Sequence, residues 1–187
     1  MSSRGSAWIA IALGLVSIGT GAARAAPGPQ GASSPASSPQ GREMRLTVAR
    51  RIMTAARFCT LVTQGPEGRA QARVIDPLGP GPGLEIYFAT NPKSRKVAEI
   101  RRDRRVTLLY FDATAMAYVT LIGDASPVTG LGRSGLYKDE WAGFFPRDTP
   151  DAWALYRVRP IRVEIVSAAD GLSGDSVTWR PDSVEMR

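Results

Sequence analysis

The sequence contains no histidine and only one cysteine, Cys59, among its 187 residues. Without histidine there is no Ser-His-Asp or Cys-His machinery, no imidazole acid or base and no His-ligated metal. One cysteine excludes an internal disulfide framework and a Cys-rich zinc site. Lysine is scarce as well, confined to Lys93, Lys96 and Lys138. No G-x-G-x-x-G follows a strand-like run and no Walker sequence occurs, so neither common nucleotide-binding loop is supported. An enzyme built on this chain must rely on carboxylates, Arg, Lys, Tyr or a bound cofactor.

What is present is an Arg-rich, basic chain with a formal net charge of +7. Such a charge suits anionic partners in general. Here the accompanying wealth of Ala, Gly and Pro reads as a codon bias, and no nucleic-acid partner is expected. The hydrophobic fraction of 43% is enough for a real core.

The chain divides by composition into three parts. Arg4, the apolar run Ala7–Ile18 and the small-residue ending Ala23-Arg24-Ala25 have the three parts of a secretory signal, expected over residues 1–25. The run is shorter than the roughly 20 residues of a spanning helix. An uncleaved anchor is the alternative; after cleavage no stable membrane anchor is expected. Residues 26–42 lack large apolar side chains and are expected to form a disordered linker. A domain is expected over residues 43–187. Export to the periplasm or medium follows from the signal, and a cytoplasmic location from a start at Met44.

Periodicity within the domain predicts an amphipathic helix over Glu43–Ala56 and strands over Phe58–Thr63, Ala70–Ile75, Leu84–Thr90, Val106–Phe111, Met116–Val128 and Leu155–Val166. Asn91-Pro92 is expected to open a second helix, Thr129–Trp141 to be helical, and Val177–Trp179 to add a short last strand. Six strands with mostly short connections, plus a few helices, predict a mainly β, six-stranded antiparallel barrel.

One segment concentrates charge and hydroxyls. Thr90-Asn91-Pro92-Lys93-Ser94-Arg95-Lys96 is a strand-to-helix turn with two hydroxyls, three cations and free N–H groups, and Arg73 stands on an earlier strand. Dipole, donors and charge at one place suit a phosphate monoester. On these residues alone, a solvated basic helix start is the favoured reading, because such clusters are common on surfaces.

The string L-E-I-Y-F-A-T-N-P-K-S-R-K-V-A-E-I-R-R-D-R-R-V-T-L-L-Y-F resembles the core signature of the pyridoxamine 5'-phosphate oxidase-like FMN-binding split-barrel superfamily. The preceding A-Q-A-R-V-I-D, the later Y-V-T-L-I-G, W-A-G-F-F-P and the R-V-x-P-x-x-V-E strand fit the same pattern, the last two pointing to its general-stress-protein branch. The resemblance covers about residues 45–180 and implies a split β-barrel homodimer with FMN in clefts between subunits. By position, it implies that Arg95 and Lys96 hold the FMN phosphate with Arg73 near it. Arg73, Val74 and Ile75 would line the ring and ribityl chain, Ala89 and Thr90 would contact the cofactor, and Ser94 would donate a hydroxyl. Tyr118 stands where the oxidases carry a cofactor-contacting Gln. Trp141, Phe144 and Phe145 would pack in the core or shape the flavin pocket.

The late R-L-H-D-R segment that binds pyridoxal phosphate in the oxidases has no counterpart, so vitamin B6 oxidation is not expected. The function implied is an FMN-dependent oxidoreductase or flavin reductase acting on a small molecule. A non-enzymatic flavin-binding stress-response module, or a deazaflavin- or haem-binding relative, is the alternative. No catalytic residue and no metal site stands out.

Overall fold

The computed structural model describes residues 38–133 and 135–186, and the expected signal segment lies outside them. The first helix, α1 (Pro39–Ala56), starts four residues before the expected Glu43. Ser38 caps it by accepting from Gly41 N at 3.0 Å, and Pro39 fits the first turn, where its missing N–H costs nothing. Arg45, Val48, Ala49, Ile52 and Met53 are buried at the 3–4 residue spacing of one helix face. The helix stops at Arg57, which adopts φ 58°.

Seven strands follow: β1 (Cys59–Gln64), β2 (Ala70–Ile75), β3 (Ile86–Thr90), β4 (Arg105–Asp112), β5 (Ala117–Val128), β6 (Ala154–Val166) and β7 (Asp182–Glu185). A second helix, α2 (Arg95–Arg102), lies between β3 and β4. All pairings are antiparallel, in the order β2-β1-β4-β5-β6-β3, with β7 paired to the second half of β6. The chain is mainly β, of the split-barrel type. The sheet does not close: β2 and β3 are the two free ends of the ladder.

Strict alternation along β1, β3 and the first part of β5 points Leu61, Ile86, Phe88, Val119 and Leu121 inward to one core, joined by the buried face of α1. The long β5–β6 pair carries a register shift between Ile122 and Gly123. A Cβ on Gly123 would sit 2.2 Å from the Arg159 carbonyl oxygen, so only glycine fits this crossing.

Three expected elements differ. Residues 129–141 form no α-helix but two short 3-10 turns, Gly130–Arg133 and Asp139–Trp141. Gly130 and Gly135 both take positive φ there, which interrupts helical geometry. Val177–Trp179 is a turn, because the Asp175 carboxylate accepts from Val177 N and Thr178 N. The last strand is Asp182–Glu185 instead. Finally, α2 begins at Arg95 and not at Asn91-Pro92. Asn91 Oδ1 accepts from Lys93 N at 2.8 Å and Asn91 O accepts from Ser94 N at 3.0 Å, forming a turn ahead of the helix.

Candidate functional site

The site lies where the ladder fails to close. The chain leaving β2 touches β3 briefly, Leu78 N donating to Tyr87 O at 2.8 Å. Beside that contact, the ends of β2 and β3 border a cleft of about 440 Å³, inside the span of roughly 300–1,000 Å³ usual for ligand pockets. Val74 and Ile75 border it from β2 with Asp76 just beyond, and Ala89 and Thr90 from β3 with Asn91 just beyond. Lys96 reaches in from α2, and Glu140, Trp141, Phe144 and Phe145 form the far wall.

One end of the cleft is polar. Lys96 Nζ donates to Thr90 Oγ1 at 3.0 Å, and Thr90 Oγ1 lies 3.2 Å from Ser94 Oγ. Ser94 occupies the N-cap of α2 but makes no side-chain capping bond; its hydroxyl turns to Thr90. The first turn of α2 therefore has no side-chain cap, which leaves its N-terminal dipole uncompensated by Ser94. Burial, followed by the Arg73 charge, pushes the Lys96 ammonium below its ordinary value, and the Glu99 carboxylate partly offsets this. An anion arriving there relieves that strain on the charged form.

Behind this end stands a buried charge cluster. Glu99, 1% exposed, accepts through Oε2 from Thr63 Oγ1 and from Arg73 Nη2 at 2.8 Å. Arg73 also donates to Thr63 Oγ1. Arg95 Nε lies 3.1 Å from Glu99 Oε1 as an ion pair, while that oxygen accepts no well-aligned hydrogen bond. Burial opposes the Glu99 charge, but the Thr63 and Arg73 hydrogen bonds and the two guanidiniums outweigh it, holding the carboxyl below its ordinary value.

The opposite end is aromatic and held by Asp76. Trp141 Nε1 donates to Asp76 O at 2.9 Å, and Lys138 Nζ pairs with the Asp76 carboxylate. Trp141 and Trp153 are buried in a second, smaller core with Leu155, while Phe144 is 80% exposed at the cleft rim.

The structure thus brings Val74, Ile75, Ala89, Thr90 and Lys96 together along the cleft and sets Ser94 against them. Arg73 stands one layer behind, bound to Glu99. Arg95 points outward, 67% exposed. Tyr118 does not border this cleft; it pairs with Phe111 on the outer sheet face. Asp76, Asn91 and Glu140 at the cleft, and Thr63 and Glu99 behind it, were not anticipated from the sequence. The one signal for Glu99 was its place four residues after Arg95 on a helix. No group of residues able to hold a metal ion occurs among the described residues, and no described helix is long and apolar enough to cross a membrane.

A family model described as pyridoxamine 5'-phosphate oxidase matches residues 47–142, just over half of the chain. No curated protein matches the sequence. Among solved structures, a Clostridium acetobutylicum protein related to general stress protein 26 is similar with a TM-score of 0.63 at 13% identity, covering 76% of this chain and 95% of that one. A pyridoxamine 5'-phosphate oxidase-related, FMN-binding protein from Nostoc punctiforme gives a TM-score of 0.53 at 16% identity, covering 80% and 98%. A haem-binding protein from Mycobacterium smegmatis gives 0.56 at 21% identity, covering 73% and 56%. At these identities the likeness speaks for the fold.

Proposed function

The chain belongs to the pyridoxamine 5'-phosphate oxidase family, and on that premise we propose that it binds FMN in the cleft between β2 and β3. The observation that carries this reading is the cleft's two-ended character: Lys96 and Thr90 at one end, Trp141, Phe144 and Phe145 at the other. FMN has a dianionic phosphate and a flat aromatic ring, and each end matches one of them. Lys96, the Thr90 and Ser94 hydroxyls and the start of α2 hold the phosphate. The backbone of residues 74, 75 and 89 flanks the rest, and Phe144 and Phe145 keep water from the ring. Bound there, FMN supplies redox chemistry, while the protein supplies position and electrostatics. On this reading the chain acts as an FMN-dependent oxidoreductase or flavin reductase, the alternative being a flavin-binding module without catalysis.

Several of the usual haem ligands are absent or disabled here. Haem iron is commonly held by His, Cys thiolate, Met or Tyr. The chain has no His, and burial pushes the Cys59 thiol up to about 12. The buried Tyr110 hydroxyl is pushed up as well, by burial first and then by Cys59. Reconstitution with FMN, haem and a deazaflavin in parallel, read by visible absorption after gel filtration, separates the three. Retention of flavin absorbance alone supports this reading; retention of haem alone refutes it.

The proposed assembly is a homodimer. On the outer face of the sheet Val74, Thr60, Leu109 and Thr120 share one row, and Phe111 and Tyr118 share another. Val74 is 69% exposed, and Leu109 and Phe111 are exposed beside it. Val74 also borders the cleft, so a second subunit on this face would lie beside the cofactor. Light scattering should give twice the chain mass. Export with cleavage after Ala25 is proposed from the amino-terminal sequence, and intact-mass analysis should then find a chain starting at Ala26.

A further inference from the structure

A second cavity, of about 430 Å³, lies between the end of α1 and the loop that follows β2. Met53, Thr54 and Arg57 border it from α1 and its cap, residues 77–80 from the loop, and Lys138 and Glu140 from the far side. Only Glu140 also borders the cleft described above. The loop wall is fixed by the protein itself. Arg50 Nη1 donates to Pro80 O at 2.8 Å and to Gly81 O at 2.7 Å, and Nη2 donates to Pro82 O at 2.6 Å. Pro77, Pro80 and Pro82 stiffen the same stretch. A preformed cavity of this size is what small ligands use.

Two of its polar groups lack a full set of partners. Tyr110 borders the cavity from the barrel core and is 1% exposed. Its hydroxyl has no hydrogen-bond partner of ordinary strength, the Cys59 thiol beside it being a weak one. A buried hydroxyl left in that state is costly and calls for an explanation. At the rim, Lys138 is occupied: Nζ donates to the Asp76 carboxylate and to Pro77 O at 3.0 Å. Arg57 is not. Its nearest carboxylate oxygens, Asp76 Oδ2 and Glu140 Oε1, lie 3.6 and 3.8 Å away, beyond hydrogen-bond reach. Two cations, Arg57 and Lys138, face two carboxylates, Asp76 and Glu140, so the rim carries no net charge.

We propose that this cavity is a second ligand site, for a neutral molecule about one ring in size that carries hydrogen-bond acceptors. The Tyr110 hydroxyl and the Arg57 guanidinium donate to those acceptors, and Met53, Leu78 and Pro80 cover the apolar body. An anion is disfavoured, because its charge would stand uncompensated beside Asp76 and Glu140. The inference is independent of the FMN reading, since the two cavities share no residue but Glu140.

Calorimetric titration of the protein with 4-hydroxyacetophenone and 4-hydroxybenzoate tests it. The two probes are alike in size, but only the second is charged. The neutral probe should bind in the millimolar range or tighter, and the anion at least about fivefold more weakly. Tyr110→Phe keeps the ring and removes the hydroxyl. It should weaken the neutral probe by about fivefold, the worth of one neutral hydrogen bond. The melting temperature of the ligand-free variant should stay level or rise, because the hydroxyl has no strong partner to lose. Thr54→Trp, at an exposed helix position on the rim, should fill the mouth and abolish binding, which locates the site by a separate route. No binding of the neutral probe at about 10 mM would overturn the proposal. So would tighter binding of 4-hydroxybenzoate, an unchanged affinity in either variant, or a lowered melting temperature in Tyr110→Phe.

Discussion

The barrel interior and the segment spanning residues 129–153 both bury large side chains, but by different means. Inside the barrel, strands alternate and α1 closes the core with one periodic face. Among the described residues of the 129–153 segment there is no strand or α-helix, only short 3-10 turns. Its order comes from individual contacts. Tyr137 packs edge-on to Trp141 and Trp153 with ring centroids 5.9 and 5.6 Å away, and the Arg133 guanidinium lies 4.0 Å from the Trp153 ring centroid. The cleft lies between the two regions. Its phosphate end is built on the regular elements β3 and α2, its aromatic wall on the irregular segment.

The contrast can be broken most severely at Gly123. Its Cβ would meet the Arg159 carbonyl at 2.2 Å, so Gly123→Ala should cost about 4 kcal/mol or more, a loss few single substitutions reach. Urea denaturation, or failure to purify folded protein, checks this. Leu121→Ala, at a fully buried position on β5, should cost about 3 kcal/mol. Trp141→Ala opens the small outer core and should cost about 3 kcal/mol, the low end for a buried Trp. It should weaken FMN more than Leu121→Ala does, since Trp141 borders the cleft.

Phe144→Ala sharpens the comparison from the other side. The side chain is exposed, so stability should change by less than about 0.5 kcal/mol. Riboflavin and FMN should both bind less tightly, because the lost contact is with the ring they share. Acid titration gives the smallest effect. Glu99 has a lowered folded-state value, so its contribution to stability is in place above the ordinary glutamate value of about 4.3 and is lost as pH falls through the folded value. Melting temperature against pH should show that acid limb in wild type and a weaker one in Glu99→Gln.

The regular part of this architecture was readable in the sequence because alternation is a direct imprint of a sheet with one buried face. Leu61, Phe88, Val119 and Val163 announce it, and all are buried. The seventh strand, Asp182–Glu185, was not readable, since only Val184 of its four residues is buried. The 129–153 segment escaped for a related reason: its contacts are aromatic and long-range, with no period to detect. At the site, hydroxyls and cations beside a helix start pointed to Thr90, Ser94 and Lys96. Sequence could not separate Lys96, which enters the cleft, from Arg95 beside it, which points outward. That difference depends on helix phase. Nor could it reveal that Arg73 is taken by Glu99, 26 residues away.

The FMN reading requires that Lys96 meet the phosphate. Calorimetric titration of wild type and Lys96→Ala with FMN and riboflavin tests it most directly. A charge-assisted contact of roughly 1.5–3 kcal/mol corresponds to a loss of about tenfold or more in FMN affinity. Riboflavin should bind wild type more weakly than FMN and be nearly indifferent to the substitution. Equal binding of the two flavins to wild type, or an FMN affinity unchanged by Lys96→Ala, would contradict the account.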